Sequence, residues 1–210
     1  MKYTKHDIAK LDRISRLKII NSVTGIKPAN LVGTVNEKGQ ANLAIFSSVI
    51  HLGSNPALLG FISRPLTADV GHTFHNIQAN GSYTINHIHP GFIENAHYTS
   101  AKFDEDVSEF ERCNLTEEYI DDFQTPFVAE SQFKMGMRFI EAINIKLNGT
   151  VMVIGEIEHL IIPDAAMIDG DIDLEASNGV GISGLNSYYG LKRLDSFPYA
   201  RVDEVPEFKL

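Results

Sequence analysis

The chain has 210 residues, 43% hydrophobic and 21% charged, which suits one globular domain or at most two small ones. Its formal net charge of −9, with no basic stripe, argues against nucleic-acid binding, which depends on neutralising phosphates. The single cysteine, Cys113, rules out an internal disulfide or a thiolate zinc site, and no run of about 18 apolar residues is available to span a membrane.

The first residues also lack the apolar run of a secretory signal, so a reducing, cytoplasmic location is expected. Thr4, with Asp7 three residues on, resembles a capping box. Ile8, Leu11, Ile14, Leu17 and Ile20 then recur at helical spacing, which predicts a helix of about four turns over residues 4–20, docked by one apolar face. Leu31–Glu37 reads as a strand, Lys38-Gly39 as a turn, and Gln40–Leu52 as the returning strand. A third apolar run, Ala57–Ser63, lies between Pro56 and Pro65.

Val70, Phe74 and Ile77 have helical spacing, with Asn80-Gly81 as the stop. Ser82–Ile88 reads as a strand. Residues 90–126 form a polar helical and looped insertion, in which the acidic run Asp104–Glu111 reads as a solvated face. Phe139–Leu147 and Thr150–Ile162 make a hairpin around Asn148-Gly149, a pair that favours a primed turn. His159 falls among the apolar residues of the second run. These elements predict a mainly β fold with peripheral helices, closed as an antiparallel barrel, with residues 1–210 as a single domain.

The returning strand is unusual in clustering polar residues at Ser47 and Ser48, with Asn42 at its entry. Small hydroxyl side chains let a flat ring or a phosphate approach the backbone. The next strand ends at Ser63-Arg64, and a helix opens near Gly71-His72-Thr73. Arg64 offers a forked donor to phosphate, Thr73 a hydroxyl, and the helix start its free amides. An acidic chain needs such a locally positive pocket to hold an anionic ligand.

Separated blocks in this order resemble the flavin-reductase-like group of FMN-binding split barrels, which includes flavoredoxins. They are Asn42–Ser48, Asn55-Pro56 leading to Gly60–Arg64, His72–Ile77, Gly81–Asn86, Thr99–Phe103, Gly149–Glu156, Ile182–Leu185 and Tyr188-Tyr189. The resemblance runs over about 28–202 and implies an antiparallel split β-barrel. It implies that Asn42, Leu43, Ala44, Ile45 and Phe46 line the isoalloxazine and ribityl chain, largely through backbone groups. Ser47 and Ser48 would approach the ribityl or phosphate end. Ser63 and Arg64 would hold phosphate, helped by Thr67, His72 and Thr73. The family often carries Asp where His72 stands.

The resemblance further implies a homodimer with flavin near the interface, where Tyr188 and Tyr189 could reach the cofactor from the partner. His97 is a candidate contact for a nicotinamide or other small substrate. The implied chemistry is hydride transfer from NADH or NADPH to flavin N5 and on to an acceptor, with no catalytic acid or base needed. Two other functions stay open. One is an FMN-binding electron carrier without nicotinamide turnover. The other is a non-redox or haem-binding barrel using His159 or His72 as a ligand.

Two further motifs carry less. Gly179–Gly184 matches G-x-G-x-x-G but lies close to the end of the sequence, outside any strand–helix unit. His87 and His89 share a strand face with His97 nearby, yet no clear carboxylate or thiolate accompanies them, so no metal site is expected.

Overall fold

The computed structural model describes residues 1–65, 71–104 and 106–208. Thr67 and Val70 lie outside the described residues.

Thr4 and Asp7 form the expected capping box at the start of α1 (Lys5–Lys10). The expected single helix is broken, however. Asp12 accepts hydrogen bonds from the N–H groups of Ile14 and Ser15, at 2.9 and 3.0 Å, and so starts a second helix, α2 (Arg13–Ser22). Aspartate is among the strongest N-cap residues, and here its capping role overrides the continuous apolar stripe. Nor does that stripe dock. No residue of α1 or α2 is buried, and Ile14 is 65% exposed.

After β1 (Lys27–Pro28) come β2 (Asn30–Val35), β3 (Ala41–Phe46), β4 (Ile50–Ser54) and β5 (Ala57–Ser63). The predicted strand Gln40–Leu52 is thus two strands, interrupted by a bend over residues 47–49. Then follow α3 (His72–Asn80), β6 (Ser82–His87), α4 (Ile93–Tyr98), α5 (Glu109–Arg112), β7 (Glu117–Glu118) and β8 (Phe127–Val128). The long hairpin is β9 (Lys134–Ile145) and β10 (Thr150–Ile161). Its connection spans residues 146–149, and of Asn148 and Gly149 only Gly149 takes positive φ, so the turn is not the primed type expected. Short pieces complete the chain: β11 (Met167–Ile168), β12 (Asp171–Ile172), β13 (Val180–Ser183) and β14 (Ser187–Gly190).

The main sheet has seven antiparallel strands in the order β3-β2-β6-β9-β10-β5-β4. Its two edge strands, β3 and β4, are consecutive in the chain. The bend at 47–49 therefore carries one segment from one edge to the other and closes the sheet into a split barrel. Ser48 fastens that seam. Its hydroxyl accepts from the Ile62 N–H at 3.0 Å and lies 3.3 Å from the Ile62 carbonyl.

Val32, Phe61, Tyr83, Ile85, Met137 and Val153 form the inner core, against which Phe74 and Ile77 of α3 pack. Each such fully buried side chain contributes about 1.5–3 kcal/mol by leaving water. A second cluster joins Leu31 and Leu43 to Ile88, Phe92, Phe110 and Val180, so α4, α5 and β13 pack on the flank of β2 and β3. Cys113 is buried in it. Gly179–Gly184 spans β13, which pairs antiparallel with β1 and β14, an arrangement that excludes the dinucleotide fingerprint.

The imidazole of His87 stacks on Phe133, with ring centroids 5.1 Å apart, and His89 accepts from the Gly91 N–H. Burial pushes the His87 imidazole down from 6.5 to about 4. A depressed imidazole contributes stability above its unfolded value and loses it as pH falls through the folded value. Unfolding stability should therefore drop by up to about 3 kcal/mol from this residue as pH falls from 6.5 toward 4. His87→Phe, which keeps a ring beside Phe133, should flatten that part of the profile in urea titrations. An unchanged acid slope would contradict the assignment.

Candidate functional site

A cleft of about 330 Å³ opens beside β3, within the usual range of small-molecule sites. Three features of the fold create it: the open edge of β3, the C-terminal end of β5, and the start of α3.

The β3 edge supplies main-chain groups. Leu43 donates its N–H to Glu109 Oε2 at 2.9 Å, on the side away from β2. Main-chain groups alternate in direction along an antiparallel strand. The N–H and C=O of Ile45 therefore project from that same edge, where Ala44, Ile45 and Phe46 line the cleft. The Phe46 ring turns away to meet Phe61 edge-on, with centroids 4.8 Å apart. Phe46 thus presents mainly backbone, and Ser47 of the adjoining bend follows it in the lining.

The other end gathers donors. Gly71, at φ +118°, sits at the N-cap of α3 and places no side chain over the first-turn amides. These amides carry the positive end of the helix dipole. Gly71, His72 and Thr73 line the cleft together with Ser63 and the exposed Arg64 at the end of β5. The facing wall is Thr99–Phe103, which brings Lys102. Among the described residues, Arg64 and Lys102 line the cleft against one carboxylate, Glu109, a locally positive balance in an acidic chain. Asn21 and Leu185 also border the cleft.

Several predicted site residues are engaged differently from expectation. Asn42 lines the cleft, but its amide donates to both oxygens of Glu109, at 2.9 and 2.8 Å, and accepts from Thr34 and Thr73. It braces the strand entry, with the Thr73 hydroxyl 3.4 Å away. Ser48 lines the cleft with its hydroxyl committed to the barrel seam. Leu43 is fully buried in the flanking core. Tyr189 is half-exposed on β14, away from the cleft lining, and Thr67 is outside the described residues. His97 lies beyond the lining too, its Nδ1 3.0 Å from the Tyr188 hydroxyl, whose ionisation burial pushes up to about 12. His159 packs edge-on against Phe123 outside the cleft, so of the two candidate haem ligands only His72 lines it.

Sequence reasoning missed Glu109. The acidic run is not wholly a solvated face, because Glu109 is buried and ties α5 to the β3 edge. Burial pushes its carboxyl above the ordinary value, opposed by the Leu43 and Asn42 hydrogen bonds and by the charge of His72. Its signal was the spacing of Val107, Phe110 and Cys113, which marks one side of the acidic segment as apolar.

The family model described as flavin reductase like domain matches residues 26–171. No curated protein sequence matches the chain. Among solved structures, a candidate flavin reductase with a split barrel domain from Shewanella frigidimarina NCIMB 400 is 48% identical, with TM-score 0.91. That match covers 95% of this chain and 100% of the other. Nitrilotriacetate monooxygenase component B from Bacillus cereus is 17% identical, with TM-score 0.82 over 94% of this chain and 98% of its own. Flavoredoxin of Desulfovibrio vulgaris (Miyazaki F) is 20% identical, with TM-score 0.72 over 84% and 92%. These last two share the fold. No described helix is long and apolar enough to cross a membrane.

Proposed function

Because this chain belongs to the flavin reductase-like domain family, we propose that it is an oxidoreductase that holds FMN in the β3–α3 cleft and uses NADH or NADPH as electron donor. One observation carries the reading. The cleft places an uncapped helix start and Arg64 at one end and an open strand edge at the other, a donor set that suits a phosphate-bearing ring system.

FMN held there would supply the redox chemistry, hydride acceptance and onward electron transfer to a flavin or small acceptor. The chain's residues bind and orient. The first-turn amides of α3, Arg64 and Lys102 take the phosphate; Ser63 and Thr73 close around it. The Ile45 main chain and Ser47 meet the ring and ribityl chain. Thr99–Phe103 covers the opposite side and limits water. In this reading no side chain is assigned as an acid or base, because the redox chemistry would belong to the cofactor.

The same reading takes residues 1–210 as one domain acting in the cytoplasm, as a homodimer with flavin near the interface. The test is anaerobic stopped-flow mixing of the FMN-loaded protein with NADH, then with NADPH. Rapid bleaching of the flavin by one of them is expected. A flavin that binds yet ignores both would replace this reading with that of an electron carrier.

A further inference from the structure

Among the described residues, two terminal segments expose runs of apolar side chains. The first is α2 with the residue that follows it: Ile14, Leu17, Ile20 and Val23 are 40–71% exposed. The second is the stretch after β14. Up to Arg193 it is tied to the body: the Arg193 N–H donates to Glu175 at 2.9 Å and its guanidinium pairs with Asp173 at 3.4 Å. From Leu194 onward, every hydrogen bond and ion pair among the described residues is internal to the segment. Leu194, Phe197, Tyr199, Val202 and Phe208 are 79–95% exposed.

The two segments are matched in charge. Residues 1–20 hold six lysine and arginine residues against Asp7 and Asp12. The end of the arm holds Asp203, Glu204 and Glu207 with no basic residue between Val202 and Phe208. Fifteen residues, 194–208, reach up to about 50 Å when extended, enough to cross the face of a neighbouring molecule.

We propose that residues 194–208 form an exchanged arm that lies across α2 of a second copy of this chain, each copy covering the other. The acidic end meets the basic face of α1 and α2, and the aromatic residues cover the Ile14–Val23 stripe. Reciprocal exchange satisfies both exposed surfaces at once, and a two-fold axis closes the assembly without leaving an open end. The docked arm also borders the cleft. Asn21 of α2 lines it, and Lys27 Nζ donates both to the Asn21 carbonyl, at 3.0 Å, and to the Gly184 carbonyl, at 3.1 Å. This inference rests on the homodimeric part of the proposed function and names the contact that makes it.

Sedimentation over a concentration series tests it on three variants beside the full chain. Truncation after Arg193 and the double change Leu17→Asp with Ile20→Asp should each raise the dimer dissociation constant at least about tenfold, with unchanged circular dichroism. Lys10→Glu with Arg13→Glu changes only exposed residues. It should weaken the dimer, and adding Asp203→Lys with Glu204→Lys should restore it. A full chain that dimerises and a truncated one that dimerises equally well would overturn the arm alone. A full chain that stays monomeric at every concentration would overturn both the arm and the homodimeric reading. FMN titration of the same samples reports on the flavin reading separately.

Discussion

Replacing Arg64 by alanine should lower FMN affinity about 10- to 100-fold while leaving the fold intact. Arg64 is exposed at the end of β5, so its truncation opens no cavity. A charge-assisted hydrogen bond contributes about 1.5–3 kcal/mol, and each 1.4 kcal/mol is a factor of ten in affinity. Lysine would restore part of the loss, as a point charge without the fork. The control is riboflavin, which lacks the phosphate. Its affinity should be the same for the wild type and Arg64→Ala, by quenching of flavin fluorescence. An equal loss for both ligands would mean that Arg64 acts on the ring or on the fold.

Glu109→Ala should cost about 2–5 kcal/mol of stability and weaken FMN binding with it. The substitution strands the Leu43 N–H on a buried strand and leaves the Asn42 amide without its acceptors. A buried polar group left without a partner costs about 1–3 kcal/mol, and here more than one is released. Urea unfolding checks the first effect and FMN titration the second. Glu109→Gln keeps the shape and one acceptor, so it should fall between. The carboxyl is raised by burial, and a raised group contributes stability at low pH that is lost as pH rises through its folded value. Wild type should therefore gain on Glu109→Gln as pH falls through the raised folded value toward 4.5, the ordinary value for glutamate, and level off below it. A gap between the two that ignores pH would contradict the burial account.

Much of the barrel was legible because punctuation and period agreed. Pro56 and Pro65 bracket β5, and Gly81 ends α3 with a left-handed residue where a helix stop needs one. Closure was not legible, because residues 40–52 hold no glycine or proline to mark the bend, and Ser47 and Ser48 read as ligand contacts within one strand. Only the pairing of β3 with β2 and of β4 with β5 shows that the segment changes edges. The start of α2 was hidden for a related reason: the stripe ran on through Asp12, and capping is a local choice that hydrophobic period does not report.

The candidate site divides the same way. Residues at element ends, Ser63, Arg64, His72 and Thr73, converge because β5 and α3 are consecutive and short-linked. Side-chain partners distant in sequence were not legible. Asn42 and Ser48 looked free in the sequence, and their partners lie 67 and 14 residues away. Thr99–Phe103 belonged to the resemblance without a role, and packing alone makes it the opposite wall of the cleft.

The central claim is that the β3–α3 cleft binds FMN. A fluorescence titration of the purified protein with FMN tests it most directly, after any endogenous chromophore has been released and identified. Saturable quenching at one FMN per chain, weakened by Arg64→Ala, is the predicted result. A protein that leaves FMN fluorescence unchanged and releases no flavin would contradict it.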